Sequence, residues 1–110
     1  MSERLVVLSL RESPVPGGRT EEGLRVAVGL TIANPNLTVL LLESSTALVR
    51  ESFDWTGRAE MEKHWRTLSE LGVRVVAERE SLEGPARGAE AWPPARVAAL
   101  LAEAAVVVSY

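Results

Sequence analysis

The sequence predicts an α/β fold, a three-layer α/β/α sandwich around a short parallel sheet of four to five strands. Three observations predict it. Short, nearly continuous apolar runs recur at residues 5–10, 37–42, 73–77 and 106–110. Segments with apolar residues at helical spacing separate them. The 110 residues suit one domain spanning residues 1–110, large enough for a modest core. Runs that are apolar throughout belong to strands buried on both faces, and strands that alternate with helices are joined by crossovers that leave them parallel.

Leu5-Val6-Val7-Leu8-Ser9-Leu10 is the first predicted strand. It stops at residues 11–19, where Pro14, Pro16 and the Gly17-Gly18 pair make a long loop. Thr20 is the expected N-cap of a helix, with Glu21 and Glu22 favouring its positive dipole end. Leu24, Ala27, Val28 and Thr31 form the helix stripe, with Val26 and Leu30 beside it. Asn34-Pro35-Asn36 ends the helix, because proline restrains its neighbour and cannot donate. The second strand is Leu37-Thr38-Val39-Leu40-Leu41-Leu42, followed by Glu43-Ser44-Ser45 and a short helical piece at 46–49. A helix over about residues 58–71 turns Met61, Trp65, Leu68 and Leu71 inward, and Gly72 stands where a left-handed cap is expected. Val73-Arg74-Val75-Val76-Ala77 is the third strand. Residues 78–91 are mixed, broken by Gly84-Pro85 and Gly88. Pro93-Pro94 suits the first turn of a helix whose apolar face is Val97, Leu100, Leu101 and Ala104. Residues 106–110 close the chain as a strand.

Composition excludes several functions. No cysteine is present, so disulfides, thiolate metal sites and cysteine nucleophiles are excluded within this chain. The net charge of −3 argues against broad nucleic-acid or membrane-surface binding, both of which need excess Lys and Arg. Glutamine is absent and Asn occurs only at Asn34 and Asn36, beside many Glu and Arg, as in proteins from thermophiles. The N-terminus lacks the pattern of a signal peptide, and no apolar run approaches the roughly 20 residues of a membrane helix. A cytoplasmic protein is expected.

Ligands of parallel sheets bind outside the carboxyl ends of the strands. Ser9, Arg11, Glu43, Ser44, Ser45 and Tyr110 fall there and form a candidate ligand edge with Gly17, Gly18 and Arg19. The Gly17-Gly18-Arg19 loop has backbone room and charge for an anion, but Glu21 and Glu22 occupy the dipole end such an anion would use. For Glu43-Ser44-Ser45 a capped turn, with a serine starting the next short helix, is the plainer reading. Glu78 and Glu80 flank Arg79 at a strand end; acid–base work would require burial of one of them, and a solvated turn is the plainer reading. His64, the one histidine, has no evident partners for a metal or a triad. No metal site and no cofactor is expected. Trp55 and Trp92 lie in irregular segments, where they either anchor a subunit interface or pack beneath loops.

The order of these pieces resembles the DsrE/DsrF/DsrH-like sulfur-relay proteins, the DsrF or TusC type most of all. The resemblance rests on Gly18-Arg19-Thr20-Glu21-Glu22-Gly23-Leu24 after the first strand, Val39–Leu42 with an acid at its end, Leu71-Gly72-Val73, Glu80-Ser81-Leu82 and the closing Val106-Val107-Val108-Ser109-Tyr110. It covers nearly the whole chain. It implies a small α/β/α domain, often oligomeric, in a family that passes persulfide sulfur between proteins. The carrier cysteine of active members lies just past the third strand, and aligning Ser81-Leu82 puts Glu78 at or near that place. A carboxylate cannot hold a persulfide, which needs a nucleophilic thiolate. This chain also has Glu43-Ser44-Ser45 where the family commonly has an acid followed by Gly-Val, and its 82–92 segment is short. The resemblance therefore implies a non-catalytic subunit, structural or regulatory, in a homo-oligomer (a trimer or hexamer suits the family) with a cysteine-bearing DsrE-like protein or a sulfurtransferase as candidate partner. The alternative is a small-ligand or anion-binding module using the carboxyl edge of the sheet.

Overall fold

The computed structural model describes residues 4–110. Strand β1 (Val6–Leu10) leads through the 11–18 loop into helix α1 (Arg19–Ala33). Strand β2 (Leu37–Leu41) is followed by a 3₁₀ helix over Glu43–Val49 and by helix α2 (Ala59–Glu70). Strand β3 (Arg74–Glu78) passes through a short 3₁₀ turn, Arg79–Ser81, to strand β4 (Glu90–Trp92). Helix α3 (Pro94–Glu103) then returns the chain to strand β5 (Val106–Ser109).

The five strands form one parallel sheet in the order β4-β3-β2-β1-β5. The first four strands step across the sheet in sequence, and α3 carries the last one back to the far side of β1. Every residue of β1 and β2 is buried, as strands covered on both faces require. Alternation divides their side chains between two cores. Leu8, Leu10, Val39 and Leu41 pack under α1 and α2 through Leu24, Ala27, Met61 and Leu68. On the opposite face Val7, Leu40 and Val76 pack with Trp92 and with Val97 and Leu100 of α3. Burying one such leucine contributes about 1.5–3 kcal/mol, so β1 and β2 are the anchor of the fold. The expected three layers are thus present, two helices on one face and one on the other.

The structure adjusts several local expectations. Thr20 does not cap α1: the cap residue is Gly18, and the buried Thr20 hydroxyl instead donates to the Glu12 carbonyl at 2.6 Å. That bond pins the loop after β1 to the helix. Leu71 is not an inward residue. It is the C-cap of α2 and is 58% exposed, because Gly72 (φ +71°) turns the chain in the left-handed region immediately after it. The fifth strand, open in the sequence reading, is present as the three residues of β4 paired to Val76, Ala77 and Glu78.

Candidate functional site

Three strand ends converge at the carboxyl side of the sheet, and their polar groups are spent largely on one another. Glu43 begins the 3₁₀ helix with φ +51°, the left-handed region that non-glycine residues seldom occupy. Its backbone N–H donates to the Glu78 carboxylate at the end of β3, thirty-five positions away. The same Glu78 oxygen accepts the Ser81 hydroxyl at 2.9 Å. Thr46, fully buried, bridges the Glu43 and Ser81 carbonyls at 2.8 and 3.1 Å. The Glu43 side chain faces solvent and pairs with Arg11 at 3.3 Å. Ser45 is fully buried; its hydroxyl sits 2.9 Å from the Leu10 carbonyl and 2.8 Å from that of Leu42. Ser45 thereby joins the ends of β1 and β2. Its neighbour Ser44 is exposed.

Ser9 and Tyr110 meet at the adjoining corner. Ser9 is buried, with its hydroxyl 3.3 Å from that of Ser109, and its carbonyl accepts the Tyr110 N–H at 2.9 Å. The Tyr110 side chain lies against Gly23 of α1, and the Arg19 guanidinium stands 5.4 Å from its ring centre. Arg19 also pairs with Glu12 at 3.3 Å. The Gly17 N–H, which an anion would need, donates to the Glu21 carboxylate. Next to it, a hydrogen bond from Arg25 holds the Glu22 carboxyl below its usual range. Gly17, Gly18, Glu21, Glu22, Glu60 and the half-buried His64 together line a small pocket of about 190 Å³. Among the described residues no set of three or more His, Asp or Glu side chains is placed to hold a metal ion.

A wider cleft of about 320 Å³ opens between the 11–18 loop and the segment after the 3₁₀ helix, lined in part by Pro14, Val15, Arg50, Phe53 and Arg58. Arg58 is a staple: its Nε donates to the Pro14 carbonyl at 2.9 Å and Nη1 to that of Asp54 at 2.9 Å. Asp54, on the same wall, has its carboxyl lowered chiefly by the Thr56 N–H. Arg50 pairs with Glu83 at 3.4 Å, while its Nε is buried with no hydrogen-bond partner among the described residues. Sequence reasoning missed this cleft, the Thr46–Ser81 bridge and the Glu78–Glu43 bond, because each joins segments far apart in sequence. A larger groove of about 630 Å³ lies at the opposite, amino end of β2 and β3, walled by Ile32, Leu71 and Val73 among others.

Trp55 and Trp92 have different surroundings. Trp55 is half-buried, 4.7 Å centre to centre from Phe53 and 6.4 Å from Trp65. Trp92 is 6% exposed within the α3-side core, with the Arg96 and Arg74 guanidinium groups 3.9 and 5.2 Å from its ring centre. Packing inside its own chain leaves Trp92 little surface for a partner.

No protein-family model and no curated protein matches the chain. Among solved structures it is similar to the YchN protein from E. coli, with a TM-score of 0.75 over 97% of this chain and 99% of that one. The fold is that of YchN. Sequence identity is 20%, so the likeness is one of fold alone, and it supports the DsrE-like fold implied by the order of elements. No described helix is long and apolar enough to cross a membrane.

Proposed function

We propose that the chain is a non-catalytic DsrE-like subunit, structural or regulatory, in an oligomer linked to sulfur relay in the cytoplasm. One observation carries the reading. At the position the family resemblance gives to the sulfur carrier stands Glu78, whose carboxylate is occupied by the Glu43 N–H and the Ser81 hydroxyl. A persulfide needs a thiolate, and the chain has no cysteine. The DsrE-like fold is retained while the place of its chemistry has become a joint between β2 and β3. Such a subunit contributes surface rather than reaction, in a homo-oligomer or beside a cysteine-bearing DsrE-like protein or a sulfurtransferase. Native mass spectrometry of the tagged protein captured from its own host tests this. A complex containing a cysteine-bearing chain is the expected result, and recovery of this chain with no other protein counts against the link to sulfur relay.

The cleft beside Arg50 favours a second reading, a module that binds a small anion at the carboxyl edge. Arg50 stands on its wall, and its Nε has no hydrogen-bond partner among the described residues. A bound small mass that disappears in Arg50→Ala would put this reading first.

A further inference from the structure

We propose that β5 is a pairing edge through which two copies of this chain join antiparallel across a two-fold axis, extending both sheets into one. The inference stands apart from the sulfur-relay reading, because it rests on the backbone and side chains of a single strand.

Among the described residues, strand β5 is bonded on one side only, to β1. In a parallel ladder alternate residues turn both backbone groups toward the same neighbour. The Tyr110 N–H donates inward to Ser9, so alternation turns the N–H and C=O of Val107 and Ser109 away from β1. Side chains are bare on both faces. Val106, in register with Val6 on the α1–α2 side, is 47% exposed; Val107, in register with Val7 on the α3 side, is 43% exposed. Open edges are ordinarily protected by charge, proline or a bulge. Val106-Val107-Val108-Ser109 has no charged residue and no proline, and it stays in continuous register with β1. The opposite edge, β4, is three residues long, bears Glu90, and buries Trp92.

The occupant follows from the register. A two-fold axis at Val108 sets Val107 of one copy opposite Ser109 of the other, and each pair exchanges both of its outward backbone hydrogen bonds. The same axis sets Val106 opposite Tyr110 on the α1–α2 side, an aromatic against a β-branched residue, which is a favourable cross-strand pair. One strand supplies both members of every pair, so a second copy completes the edge, as in the isologous contacts of two-fold dimers.

The test is light scattering coupled to size-exclusion chromatography on the purified chain. The wild type should have the mass of an even number of chains. Val107→Pro removes an outward N–H but leaves the inward bonds of Val106 and Val108, and should halve that mass with the far-ultraviolet circular dichroism unchanged; Val107→Lys should do the same. A wild type of one chain or an odd number of chains overturns the proposal, as does wild-type mass in either folded variant. Should both variants unfold, amide exchange of the wild type decides: slow exchange at Val107 and Ser109 supports the pairing, and free exchange at both overturns it. Because no other protein is present, failure here leaves the capture experiment above unaffected.

Discussion

The carboxyl ends of the strands and the outer edge of β5 adjoin at Tyr110, yet they differ in what they leave unsatisfied. At the carboxyl ends, the Glu78 carboxylate accepts the Glu43 N–H, the Ser45 hydroxyl is turned to the Leu10 and Leu42 carbonyls, and Thr46 ties the two 3₁₀ segments together. Along β5, backbone groups and two valines face outward with no described residue covering them. A parallel sheet usually binds and reacts at the first place. Here that place is closed by the chain's own polar groups, while free bonding capacity lies at an edge suited to another strand. That difference is the ground of the pairing proposed for β5.

Substitutions at the corner where the two regions meet sharpen the comparison. The largest effect is expected from Gly23→Ala. A Cβ there would lie 2.3 Å from a Leu10 methyl and 3.2 Å from the Tyr110 Cβ. Leu10 is fully buried, so its methyl has little room to retreat. Overpacking of this kind costs about 1–3 kcal/mol, which outweighs the gain of up to about 1 kcal/mol from replacing glycine in a helix. A lowered urea midpoint, with faster exchange at the Tyr110 amide, is the expected result. Next comes Ser45→Ala, which strips a buried hydroxyl from the junction of β1 and β2 and should cost about 1–2 kcal/mol. Its urea midpoint should fall without change in oligomeric mass, because the lesion is confined to the closed region. A change of mass with unchanged stability would blur the distinction between the two regions.

Much of the fold was legible in sequence for a simple reason. Strands buried on both faces must be apolar throughout, so β1, β2 and β3 announce themselves as runs, and the helices between them show their stripes. Strand β4 does not. Glu90-Ala91-Trp92 has no periodicity, follows Gly84-Pro85 and Gly88, and is a strand only because β3 offers it a partner and Trp92 a core. Leu71 misleads for a related reason: the stripe continues one residue past the point where Gly72 turns the chain. At the candidate site the residue types at the strand ends were readable from topology, but their bonds were not. Nothing in the spacing of Glu43 and Glu78, or of Thr46 and Ser81, signals that they meet. The edge character of β5 was hidden as well, because Val106-Val107-Val108 reads like any buried run; strand order alone leaves it outermost.

The central claim is that Glu78 is a joint and not the remnant of a reaction centre, and Glu78→Cys tests it most directly. The substitution puts a thiol where the family resemblance places the carrier cysteine, while removing the acceptor of the Glu43 N–H and the Ser81 hydroxyl. Measured by urea unfolding alongside capture of host partners, it should lose about 1–2 kcal/mol, the scale of two hydrogen bonds to a half-buried carboxylate, and retain the same partners. Unchanged stability together with lost or altered partners would contradict the account, since Glu78 would then act on other proteins and not on its own strand end.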